Sequence, residues 1–268
     1  MPDSPEHVTA PDGVRIAVWP CGGSGRPLVL VHGTSADHTR WTPVLPALSA
    51  VSTVYALDRR GRGGSSDRDG YSIADEFRDV AAVVDAIAAR TGGPVDLLGH
   101  SYGAVCALEG ARLTSSVRRL VLYEPPVVAP PSPPELLDRL DALVAAGDRD
   151  GAVTTFFREV VGADDAQLRA VRAAPSWPAR LAAAHTLSRE QRFEDGYSFD
   201  AERFQDWTVP TLLVVGDRSA PFLQDSMQLL ETHVPATRLV VLPGQGHVAM
   251  DTGTELFNAA VIAFITET

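Results

Sequence analysis

The chain has 268 residues, 45% of them hydrophobic and 21% charged, with a formal net charge of −11 at pH 7. That length can bury a large apolar core without disulfides or metal, as one compact α/β unit or as a core with one inserted subdomain. The acidic surplus argues against nucleic acid and anionic membranes, which need clustered positive charge, and reads mainly as solubility.

Two cysteines, Cys21 in a Gly-rich turn and Cys106 in an apolar helical stretch, make neither a disulfide framework nor a metal-ligand spacing. Cys106 reads as a small core residue. The opening Met1-Pro2-Asp3-Ser4-Pro5-Glu6 lacks a basic region followed by an apolar run, and no stretch approaches the ~18 apolar residues of a membrane span. The cytoplasm is the expected location.

Residues 6–10 and 14–19 predict two strands around Asp12-Gly13, a hairpin turn signal. Residues 21–25 predict a flexible turn. Short apolar runs follow at 28–31, 53–57, 95–98, 120–123, 211–215 and 238–242. Continuous apolar runs of this length suit strands buried on both faces of a parallel sheet. Between them, helical spacing of apolar residues predicts helices over 73–90, 102–113, 222–231 and 254–265, so strands and helices alternate as in a doubly wound sheet. Residues 125–206 break the alternation. They begin with Pro125-Pro126 and four more prolines by residue 134, a stiff exit from the sheet, and continue with helices expected at 135–146, 149–161, 164–173 and 177–190. The expected organisation is a core of 1–124 and 207–268 with a helical cap at 125–206.

Gly99-His100-Ser101-Tyr102-Gly103 matches the G-x-S-x-G pattern between a buried strand and an Ala-rich helix. A sharp strand-to-helix turn there projects the Ser101 hydroxyl at the carboxyl end of the sheet, and flanking glycines let strand and helix approach closely. A serine hydroxyl needs a base to take its proton. Of seven histidines, His247 is the best candidate, because Pro243-Gly244-Gln245-Gly246-His247 follows the last strand and returns to the same edge. His32 reads as structural, His100 as the variable residue of the elbow, and His38, His185 and His233 as ordinary. Oxyanion stabilisation calls for preorganised donors worth roughly 3 kcal/mol each. The backbone N–H of Tyr102 and of Thr34, in the loop after the 28–31 strand, are the candidates.

Leu30-Val31-His32-Gly33, Asp58-Arg59-Arg60-Gly61-Arg62-Gly63, the elbow and Gly244-Gln245-Gly246-His247 together resemble the α/β-hydrolase superfamily over the whole chain except the details of 125–206. The resemblance implies an α/β fold with a mostly parallel eight-stranded sheet, flanking helices and an inserted helical cap, together with an acyl-enzyme mechanism. The 58–65 segment reads as a structural turn and loop beside the pocket.

In most of that superfamily the acid that orients the histidine is an Asp three residues beyond a glycine after the seventh strand. Here the stretch is Gly216-Asp217-Arg218-Ser219, and the expected position holds Ser219. Two candidates remain, Asp217 and Glu124. Glu124, at a strand end before two prolines, is preferred: some branches, including certain haloalkane dehalogenases and fungal zearalenone lactonases, place the acid there, and the extra methylene of glutamate lengthens its reach.

A serine nucleophile implies acyl transfer to water from a carboxylic ester, lactone or thioester, on a small-molecule substrate expected to be apolar and medium-sized. Phe156, Phe157, Trp177, Phe193 and Trp207 are cap aromatics that read first as packing; Phe222, Val248 and Trp177 are the substrate-binding candidates. No metal or organic cofactor is implied. The oligomeric state is not readable. The same scaffold also hosts cofactor-independent oxygenases and acyl-transferring or cyclising thioesterases, and a non-catalytic ligand-binding protein is the remaining alternative.

Overall fold

The apolar runs form the interior of an eight-stranded sheet of order β1-β2-β4-β3-β5-β6-β7-β8. In the computed structural model of the chain, residues 4–195 and 197–267 are described, the side chains of 193–195 excepted, so that of Phe193 lies outside the described residues. β1 (Glu6–Thr9) and β2 (Arg15–Gly22) pair antiparallel across the Asp12-Gly13 turn, and β2 pairs antiparallel with β4 (Ser52–Leu57). β3 (Arg26–Val31), β4, β5 (Val95–His100), β6 (Val117–Tyr123), β7 (Thr211–Gly216) and β8 (Thr237–Leu242) run parallel. β5 and β7 are buried along their whole length, as strands covered on both faces must be. The expected turn at 21–25 is partly strand: β2 continues through Cys21 and Gly22, with a register shift between Pro20 and Gly22 where proline has no N–H for the ladder.

α1 (Leu45–Ser49) precedes β4, and α2 (Ile73–Thr91) links β4 to β5. A Ser72/Asp75 capping box starts α2 and Gly92, in the left-handed conformation, ends it. α3 (Tyr102–Ala111) follows β5 directly and stops two residues before the expected end. α2 and α3 pack on one face of the sheet, around Val29, Val31, Leu97 and Leu122. The other face buries Trp41, Leu48, Leu98, Val214 and Phe257.

Between β6 and β7 the chain forms α4 (Pro134–Ala145), α5 (Arg149–Glu159), α6 (Asp165–Ala173), α7 (Trp177–Ala182) and α8 (Leu187–Asp195). The helix expected over 177–190 is two helices joined by a 3-10 turn at Ala183–Thr186. His185 Nδ1 bonds the carbonyl of Ala182 and the Thr186 hydroxyl bonds that of Ala183, side-chain bonds that compete with the helical ladder. The insertion has its own apolar cluster, including Leu137, Leu140, Phe156, Phe157, Ala184 and Leu187. It is tied to the sheet layer by Glu190, whose buried carboxylate pairs with Arg59 and Arg62. α9 (Pro221–His233) precedes β8, and α10 (Ala249–Thr252) and α11 (Thr254–Thr266) close the chain. No helix among the described residues is long and apolar enough to cross a membrane.

Candidate active site

Ser101 stands between β5 and α3 with φ 57° and ψ −132°, a conformation that side-chain-bearing residues rarely adopt. The turn is possible because its neighbours lack side chains. A Cβ on Gly103 would collide with the carbonyl of His32, and one on Gly99 would lie 2.6 Å from the backbone of Ala104. Strain at such a position marks sites where the backbone must aim a side chain. The Ser101 N–H is held by the carbonyl of Tyr123 at 2.9 Å, and the hydroxyl opens into a cavity of about 60 Å³. His247 and Val248 line the same cavity, with Gly33, Thr34, Ala36, His100, Phe156, Phe157, Val161, Arg40 and Arg180.

The loop after β8 brings His247 there. It is fixed by Tyr123, whose hydroxyl donates to the carbonyl of Gly246 and accepts the N–H of Ala249 at 2.9 Å. His247 Nδ1 meets Glu124 Oε2 at 2.5 Å. Glu124 is fully buried, with φ 50°. Its second oxygen accepts the Gly216 N–H at 2.7 Å and the hydroxyl of Ser219. Ser219, at the position where an acid was expected, thus supports the carboxylate instead of supplying one. Asp217 is exposed and accepts only the Gly244 N–H, at 2.7 Å, as a turn residue would. With Nδ1–H facing a carboxylate, Nε2 of His247 is left to accept a proton. No hydrogen bond joins Nε2 to Ser101 Oγ; in unliganded sites such bonds are commonly long and tighten around substrate.

The Tyr102 N–H begins α3 and the Thr34 N–H lies in the β3 loop; neither has a hydrogen-bond partner among the described residues. Free N–H groups beside a nucleophile are what an oxyanion requires. His32 pins the two loops together: its Nδ1–H donates to the Gly33 carbonyl at 2.8 Å and its Nε2 accepts the Arg59 N–H at 3.1 Å. Burial, then the charges of Arg59 and Arg62, hold this imidazole neutral down to about pH 3. Asp58 is likewise structural, accepting from Trp19 Nε1, the N–H groups of His38 and Gly64, and His38 Nδ1 at 2.7 Å.

Of the substrate-binding candidates, Val248 lines the cavity, whereas Phe222 and Trp177 are not among its lining residues. Trp177 packs on the insertion's own apolar cluster, and Trp207 packs against the main core with its indole N–H on Thr211. Three polar lining residues were not anticipated. His100 is buried, donates through Nε2 to the His247 carbonyl at 3.0 Å, stacks on the Tyr123 ring at 4.9 Å and lies tilted against the His247 ring with centroids 4.7 Å apart. Burial first, and then His247 and Arg40, push its pKa well below 6.5, so it enters the site as a neutral ring. Arg40 is buried and pairs with Asp251 at 2.7 Å. Arg180 comes from α7 and forms no ion pair with any described residue. Two arginines thus stand in the cavity wall beside the apolar Phe156, Phe157, Val161 and Val248.

Residues 28–260 match the Alpha/beta hydrolase family. The chain is 31% identical over 241 residues to a 2-hydroxy-6-oxo-2,4-heptadienoate hydrolase of Pseudomonas putida, covering 84% of this chain and 81% of that one. Over 120 residues it is 35% identical to the probable oxidoreductase EphD of Mycobacterium tuberculosis, and the match covers 43% of this chain but spans only 20% of that protein's length. A crystal structure of an alpha/beta hydrolase from Sphaerobacter thermophilus, 34% identical, superposes with a TM-score of 0.79 over 94% of this chain and 100% of that one. With its eight-stranded sheet, elbow serine and matching span, the chain belongs to the alpha/beta hydrolase family.

Proposed function

We propose that the protein is a serine hydrolase that cleaves a carboxylic ester, lactone or thioester bond of a small molecule through an acyl-enzyme intermediate. The observation that carries this reading is the buried Glu124 carboxylate on His247 Nδ1, in a cavity shared with the strained Ser101. Ser101 Oγ attacks the carbonyl carbon as its proton passes to His247 Nε2. The oxyanion takes the N–H groups of Tyr102 and Thr34, and His247 returns the proton to the leaving group. Water then enters, gives a proton to the same nitrogen and adds to the acyl carbon; the bond to Ser101 Oγ breaks as that oxygen takes the proton back, and the acid leaves. On this reading residues 125–206 act as a cap on the core of 1–124 and 207–268, which their separate apolar cluster supports.

The test is turnover of p-nitrophenyl esters of graded chain length and of aromatic lactones, with Ser101→Ala as control. Short acyl chains are expected to turn over best, given the cavity's size, and Ser101→Ala to fall to the uncatalysed rate. Equal turnover by Ser101→Ala and wild type would remove the proposal.

A further inference from the structure

Buried arginines in folded proteins are paired, because leaving a guanidinium uncompensated costs several kcal/mol. Arg180 is only 7% exposed, yet among the described residues it meets no carboxylate. Among the described residues, the one acceptor its nitrogens reach is the Ser35 carbonyl, 3.0 Å from Nη1; Nε is buried with no partner. Its guanidinium carbon lies 5.0 Å from the Phe157 ring centre, which holds the plane of the fork beside the cavity. Glu190, on the neighbouring α8, is committed to Arg59 and Arg62, and Asp251 to Arg40. No acidic residue is among the described residues that line the cavity. The charge is retained: burial, then Arg40, lower the Arg180 pKa only to about 10, leaving it protonated at neutral pH.

We infer that Arg180 is the anchor for a carboxylate on the substrate, so that the enzyme acts on compounds bearing a free carboxylate a few atoms from the scissile carbonyl. A planar guanidinium with an unused edge fits a carboxylate by two parallel hydrogen bonds. Arg40, held by Asp251, adds positive potential to the same cavity. A carboxylate there repairs the unpaired Nε and neutralises a buried charge, whereas a neutral substrate does neither. The inference rests on the hydrolase reading of Ser101 for turnover, but not for binding.

The test therefore measures binding to the Ser101→Ala protein by titration calorimetry at pH 7. The ligands are monomethyl glutarate and methyl glutaramate, which differ only in a carboxylate against an amide. The acid is expected to bind roughly tenfold to a hundredfold more tightly, the range of a charge-assisted hydrogen bond. Arg180→Gln in the same background should bring the two ligands within about twofold by weakening the acid alone. Arg180→Lys, which keeps charge and bulk if the glutamine variant does not fold, should retain part of the preference. Equal affinities in Ser101→Ala, or a preference unchanged in Arg180→Gln, would overturn the inference. A purely structural role, holding the Ser35 carbonyl, is marked instead by equal losses for both ligands. Hydrolysis of mono-p-nitrophenyl glutarate by wild type, lost in Ser101→Ala, reports separately on the hydrolase reading: its absence sinks that reading and leaves the calorimetry to judge Arg180.

Discussion

Replacing Glu124 by glutamine tests how the site prepares its base. The Oε1 position receives two donors, the Gly216 N–H at 2.7 Å and the Ser219 hydroxyl. A glutamine must keep its single carbonyl oxygen there, because turning its NH₂ toward them sets donor against donor in a fully buried site, at about 1–3 kcal/mol. The NH₂ then faces His247 Nδ1, which must become an acceptor. The ring proton moves to Nε2, which can then no longer take a proton from Ser101. A wrong tautomer of this kind costs up to about 10⁴-fold in kcat, or about 5 kcal/mol of barrier. KM should change little, since Glu124 does not line the cavity. The assay is steady-state hydrolysis of p-nitrophenyl acetate, with near-UV circular dichroism to confirm the fold. Asp217→Asn, at an exposed turn, should stay within about twofold of wild type. Near-wild-type turnover in Glu124→Gln together with collapse in Asp217→Asn would refute the reasoning.

Ser219→Ala removes one hydrogen bond to the same carboxylate and should lower kcat roughly tenfold at unchanged KM; unaltered kcat would show that the Gly216 N–H suffices. Tyr123→Phe removes the hydroxyl that bridges the Ala249 N–H and the Gly246 carbonyl, leaving those two groups only their longer 3.2 Å bond to each other, and should cost about 1 kcal/mol in urea unfolding along with a loss in kcat. Acid should weaken the fold through Glu76. Burial pushes its carboxyl up, but Arg59 and Arg62 outweigh burial and hold it at about 2 instead of 4.5. A depressed carboxyl contributes stability that is present above pH 4.5 and lost as pH falls toward 2. The loss is on the order of 3 kcal/mol, visible as a falling urea midpoint that Glu76→Gln should flatten below pH 4.5.

The strand runs were legible because strands buried on both faces leave no polar alternation to interrupt them; 28–31 and 211–215 fall inside β3 and β7. Ser101, Glu124 and His247 could be proposed from sequence because Ser101 and Glu124 directly follow such runs and His247 lies in the loop after the last one. Glu124 was preferred over Asp217 because Ser219 holds the usual place of the acid and because two prolines follow the Glu124 carboxylate. Arg40, His100 and Arg180 gave no such signal. Arg180 lies on a short helix of the insertion, and an arginine in a helix normally reads as solvated; only the packing of α7 over the β3 loop turns it inward. His38, read as ordinary, stacks on Trp19 at 4.0 Å and pairs with Asp58 across twenty residues, a contact set by the strand order. The 3-10 break at Ala183–Thr186 escaped notice because Ala-rich sequence favours continuous helix, while His185 and Thr186 act through their own side chains.

The central claim is that one serine hydroxyl is activated by one imidazole, and intact-mass spectrometry after reaction with an alkyl fluorophosphonate tests it most directly. A single adduct is expected, mapped by peptide digestion to Ser101, that forms rapidly in wild type and is absent in both Ser101→Ala and His247→Ala. An adduct on another residue, or undiminished labelling of Ser101 in His247→Ala, would contradict it.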